Sequence, residues 1–85
     1  MKEVVLVTAP WCRSCHAMLE WFAGLELPGV SFRSIDVEDP AMEGESVSSV
    51  PVVLFREGGK TVQEWRGALG KADLVSKIRS VWPEG

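Results

Sequence analysis

The chain has no apolar run of membrane-spanning length, no cluster of lysine or arginine, and only two cysteines. The first absence excludes a transmembrane helix, which takes about 20 apolar residues. The second leaves no footprint for nucleic acid or an anionic membrane surface: 9 basic and 12 acidic side chains give a net charge of -3, spread along the sequence. The N-terminal segment also lacks a secretory signal. Its apolar run, Val4 to Val7, is short, follows the acid Glu3 and has no small-residue cleavage site behind it. A cytoplasmic location is therefore expected, and two closely spaced cysteines in a reducing compartment point to catalysis or metal binding rather than to a structural staple. Repeats, linkers and low-complexity tracts are also missing, so residues 1–85 read as one domain.

What is there suits a small folded domain. Apolar residues make up 46% and charged residues 25% of the 85 positions, enough for one modest core. Val4 to Thr8 is a continuous aliphatic run, the pattern of a central strand buried on both faces. Ala9-Pro10 breaks it, after which Cys15, Met18, Leu19 and Phe22 recur at helical spacing up to a stop at Gly24. Leu27-Pro28-Gly29 is a turn into a strand over Val30 to Val37. Asp39-Pro40 suits an N-cap with proline at the first helical position, opening a short, weak helix or a loop through Ser49. Val52 to Phe55 is a second fully apolar strand, and Gly58-Gly59 turns it into Thr61 to Arg66. Leu74, Val75, Ile78, Val81 and Trp82 mark one face of a last helix, with Pro83 beyond it. The order is β-α-β-(α)-β-β-α. It predicts an α/β fold: a mixed four-stranded sheet with the two apolar strands central, the others at the edges, and helices on both faces.

The chemistry concentrates in Trp11-Cys12-Arg13-Ser14-Cys15, where the first strand hands over to the first helix. A cysteine at a helix N-terminus faces unpaired backbone N–H groups and the positive end of the dipole, which favours its thiolate. A spacing of three places the second sulfur on the same helical face, within disulfide reach. Arg13 adds a nearby cation. Cys12 is thus the expected nucleophile and Cys15 the thiol that resolves a mixed disulfide.

Other readings compete. A structural disulfide closing so short a loop constrains the unfolded chain little. Zinc needs four ligands, and only Cys12, Cys15 and His16 lie close together, the last two pointing apart on a helix. An iron–sulfur cluster would need further cysteines from a second chain or from glutathione. Cys12 to His16 also fits C-x-x-C-H, the attachment signature of a c-type haem, with Met18 or Met42 as an axial ligand. Two buried strand patterns and no visible leader argue against a helical, exported cytochrome. His16 then reads as a polar residue on the exposed side of the helix.

Taken together, these residues resemble the thioredoxin family over nearly the whole chain. Ala9-Pro10-Trp11-Cys12-Arg13-Ser14-Cys15 is similar to its active-site loop, Ser49 to Phe55 to its cis-proline segment, and Gly67-Ala68-Leu69 with the helix after it to its closing segment. The resemblance implies a thioredoxin-like fold, a cis Val50–Pro51 bond with Pro51 beside the sulfurs, and Val50 backbone groups free to pair with an extended substrate. Trp11 is read as a substrate contact, and Arg13, Ser14, Val50 and Pro51 complete the expected substrate-binding set. No cofactor or metal is expected.

Departures from the family pattern matter too. The additional first strand and helix of thioredoxins have no counterpart here. Their buried acid in the first central strand is replaced by Leu6. Arg13-Ser14 is neither the Gly-Pro of thioredoxins nor the Pro-Tyr of glutaredoxins, and the acidic pair of glutaredoxins is missing from Gly67 to Asp73. The expectation is a monomeric protein-disulfide reductase, serving an acceptor such as ribonucleotide reductase. It is recycled by a thioredoxin reductase-like enzyme or by glutathione. The alternatives are a glutathione-dependent glutaredoxin and a c-type haem or metal carrier. Outside the motif, Trp82 reads as core packing, and Trp65 as a lid over the core or part of a docking face.

Overall fold

The structure, a computed structural model, describes residues 1–39 and 50–83. The expected weak helix or loop between Pro40 and Ser49 lies outside the described residues, as does Met42. Six elements follow one another: β1 (Lys2–Thr8), α1 (Arg13–Phe22), β2 (Val30–Asp36), β3 (Val52–Glu57), β4 (Lys60–Arg66) and α2 (Lys71–Val81). The strands form one mixed sheet in the order β2-β1-β3-β4. β1 pairs parallel with β2 and antiparallel with β3, and β3 pairs antiparallel with β4. The two apolar runs are thus the central strands and the more polar ones the edges, as expected from their patterns.

Register places each apolar residue of β1 opposite one of β3. Val4 faces Phe55 and Leu6 faces Val53 on one side of the sheet, while Val5 faces Leu54 and Val7 faces Val52 on the other. All eight are at most 2% exposed, so both faces of the central pair are dry. Both described helices lie on the first face. Met18 and Phe22 of α1 and Leu74 and Ile78 of α2 join Val4, Leu6, Val53 and Phe55 in one cluster, closed by Leu25 and Trp82. On the second face, Ile35 completes a cluster with Val5, Val7, Val52 and Leu54, joined by Val37 and Val50. The architecture is a mixed four-stranded sheet with helices packed against it, both described ones on one face; the expected further helix falls outside the described residues.

Local chemistry explains the boundaries. The β3–β4 hairpin turns on Gly58 (φ 61°) and Gly59 (φ 85°), adjacent left-handed positions that only glycine adopts without strain. α2 starts at Gly70 without a side-chain cap, but Asp73 in its first turn and Arg79 in its last complement the helix dipole. Trp82 ends it facing inward: its ring meets Phe55 edge-on at 6.0 Å, and its Nε1–H donates to Glu57 Oε1 at 3.0 Å. This bears out the packing reading and supplies the polar partner that a buried indole needs. Trp65 lies opposite Val53, on the helix side of the sheet, with Lys77 Nζ 3.7 Å from its ring centroid. It is 37% exposed and is not among the side chains packed against the helix-side cluster, so of its two expected roles the lid is not borne out.

Candidate active site

The site forms where β1 ends. Cys12 N–H donates back to Ala9 O at 3.1 Å, closing a turn with Pro10 and Trp11 at its centre. Cys12 itself is extended (φ -96°, ψ 107°) and caps α1: its Sγ accepts from the Cys15 N–H at 3.2 Å. A sulfur therefore occupies the place usually taken by a serine or aspartate oxygen, where the first-turn amides point outward. Ser14 Oγ lies 3.6 Å from the same sulfur.

Cys12 and Cys15 are joined as a disulfide, with Cα atoms 5.3 Å apart. The two sulfurs differ in access. Cys12 is 7% exposed and Cys15 is fully buried, so a partner approaching from solvent meets Cys12 first. Around them pack Ala9, Val37 and Val50. Among the described residues no polar or charged residue is buried, and Leu6, where the family pattern has an acid, belongs to the apolar cluster under the helices.

The other expected site residues divide. Trp11 is 73% exposed on the turn before the nucleophile. Arg13 and Ser14 are exposed in the first turn of α1. Val50, distant in sequence, packs against the cysteine pair, and its peptide to the buried Pro51 is cis. Among the described residues the Val50 backbone makes no hydrogen bond. Pro51 O accepts from Gly67 N–H at 2.9 Å, which ties the proline loop to the segment leading into α2.

Two residues take parts that the sequence did not disclose. Val37, read there only as the end of a strand, lies just past β2. Its N–H donates to Thr8 O at 2.8 Å and its side chain walls the cysteines. The available signal was Val37 standing two residues beyond Ile35, on the same side of the strand. His16 is exposed as expected, yet its Nε2–H donates to Pro10 O at 3.1 Å across the turn. Among the described residues no group of three or more histidine, cysteine or acidic side chains is placed to hold a metal ion. No described helix is long and apolar enough to cross a membrane.

The family model for thioredoxin matches residues 1–80. The chain belongs to the thioredoxin family. It is 31% identical over 74 residues to a thioredoxin from Chlamydia trachomatis serovar D, covering 82% of this chain and 72% of that one. Its fold is similar to that of a mutant thioredoxin from Halobacterium salinarum NRC-1. There the TM-score is 0.75 at 23% identity, over 93% of this chain and 73% of the other. With the C-x-x-C pair joined at the head of α1, the chain is a thiol–disulfide oxidoreductase in the general sense.

Proposed function

We propose that the chain reduces disulfides of proteins, with Cys12 as nucleophile and Cys15 as resolving thiol. The observation that carries this reading is the cap. The Cys15 N–H aimed at Cys12 Sγ is a donor for a thiolate once the pair is reduced, and it lies at the positive end of α1. The Cys12 thiolate attacks one sulfur of the substrate disulfide and expels the other as a thiolate, which takes up a proton. Cys15, giving up its proton, then attacks Cys12 Sγ and releases the second substrate thiol. Two electrons and two protons pass to the substrate, and the chain is left as the Cys12–Cys15 disulfide.

Cys15 is sealed among apolar groups, with no buried acid among the described residues, and its proton leaves to water or to the departing substrate thiolate. Trp11, Arg13 and Ser14 form the exposed approach to Cys12. The Val50 backbone beside the cysteines, without a partner among the described residues, offers a donor and an acceptor for an extended substrate segment, with Pro51 fixing the loop behind it. A reducing compartment such as the cytoplasm keeps the pair in the dithiol state that this role requires. The acceptor class is a disulfide-forming reductase, of which ribonucleotide reductase is one.

The test is reduction of insulin by the purified chain, recycled either by NADPH with a flavin-dependent thioredoxin reductase or by glutathione. Turnover with the flavoenzyme supports the reading. Efficient turnover with glutathione alone moves the chain to the glutathione-dependent class, and no reduction under either regime, or with dithiothreitol, overturns the reading.

A further inference from the structure

We infer that His16 is a positioning residue, which locks the Pro10–Trp11 peptide and thereby aims Trp11 at the partner protein. The inference rests on the proposed role of Trp11 as a substrate contact and extends it to the group that holds it. The turn from Ala9 to Cys12 has Pro10 and Trp11 at its two central positions, closed by the Cys12 N–H to Ala9 O bond. In such a turn the central peptide is the part free to flip, and the two common turn types differ by that flip. Proline at the first central position permits both types. The flipped type puts the second central residue at positive φ, and no non-glycine residue here has positive φ.

The central carbonyl is that of Pro10. Among the described residues it has no backbone partner, and His16 Nε2 lies 3.1 Å from it. His16 sits on the first turn and a half of α1, on a rigid element that starts from Cys12 itself. Its N–H therefore ties the central peptide of the turn to the helix whose cap is the nucleophile, adding to the disfavoured φ that Trp11 would take in the flipped form. Trp11, with 73% of its surface exposed, has no burial to hold it and depends on its backbone for direction. An exposed aromatic that is already oriented loses less freedom when a partner docks, and the difference appears as affinity. Either protonation state with a hydrogen on Nε2 makes this bond. Alanine or phenylalanine at position 16 makes none, and glutamine keeps an N–H donor.

The experiment compares His16→Ala, His16→Phe and His16→Gln with the unaltered chain, each also combined with Trp11→Ala. Its first readout needs no activity: the ¹⁵N order parameter of the Trp11 amide in the oxidised protein. It is expected in the rigid range, about 0.85, in the unaltered chain and in His16→Gln, and to fall below about 0.6 in His16→Ala and His16→Phe. The second is steady-state reduction of insulin. Loss of one exposed hydrogen bond predicts a KM raised about two- to tenfold with kcat little changed, and recovery in His16→Gln. In the Trp11→Ala background the His16 substitutions should add nothing, since the residue acts through Trp11. An order parameter that stays high in His16→Ala overturns the inference, as do additive effects with Trp11→Ala. If the unaltered chain fails to reduce insulin, the reductase reading falls while the order parameters still decide whether His16 holds the turn.

Discussion

The backbone N–H of Cys15 donates to Sγ of Cys12 at 3.2 Å, so the first cysteine caps the helix that carries the second. One contact thus serves folding and chemistry together. It satisfies an amide that the helix leaves unpaired, and it keeps a donor pointed at the sulfur that must carry negative charge.

Substitution of the pair separates these two roles. Cys12→Ser keeps a capping atom and should fold normally while reducing insulin no faster than background. Cys12→Ala removes the cap as well and should be about 1 kcal/mol less stable than Cys12→Ser in urea unfolding of the reduced proteins. Cys15→Ser keeps the attacking thiol and should accumulate a covalent mixed disulfide with its substrate, visible by mass spectrometry. Turnover by Cys12→Ser would reassign the nucleophile.

Restoring an acid in the first central strand should destabilise the fold. Leu6 has no exposed surface and packs in the main cluster. Leu6→Asp removes that packing and buries a carboxyl without a partner, at a cost of at least about 3 kcal/mol at neutral pH. Denaturant unfolding measures it, and a loss below about 1 kcal/mol would mean that the site can reach water.

The indole of Trp82 has a packing part and a polar part that can be removed in turn. Trp82→Phe takes away the Nε1–H that Glu57 accepts and should cost about 1 kcal/mol. Trp82→Ala also removes the edge-on contact with Phe55 and should cost about 3 kcal/mol or more. Both are read from urea midpoints, with insulin reduction at saturating substrate expected to persist wherever the protein stays folded.

Surface charges should matter far less. Glu3 lies between Arg33 at 2.8 Å and Arg56 at 3.9 Å on exposed or half-buried side chains, so Glu3→Gln should shift stability by less than about 1 kcal/mol. Lys77→Gln, which removes the cation over Trp65, should cost about 0.5–1 kcal/mol. A larger effect for Lys77 would show that Trp65 is held chiefly by that contact.

Local pattern determined much of this protein. Val4 to Val7 and Val52 to Phe55 are apolar at every position and largely β-branched, the pattern of a strand covered on both faces, and they became the sheet's centre. Gly58-Gly59 could only be a tight turn, and cysteines three apart at a strand–helix junction could meet as a disulfide at the helix head. These features depend on φ, on side-chain period and on the few residues to either side, all of which the chain carries in order.

Around the same two cysteines, the tertiary structure decided the rest. It set Val37 and Val50 against Cys12 and Cys15, gave Trp82 its acceptor in Glu57, drew Lys77 over Trp65 and fastened His16 to Pro10. Periodicity states which side of an element a residue occupies, but not which atoms of another element arrive there. That follows from the register of β1 on β3 and from the seating of both described helices on one face of the sheet. Those are long-range choices made by the packing of the whole core.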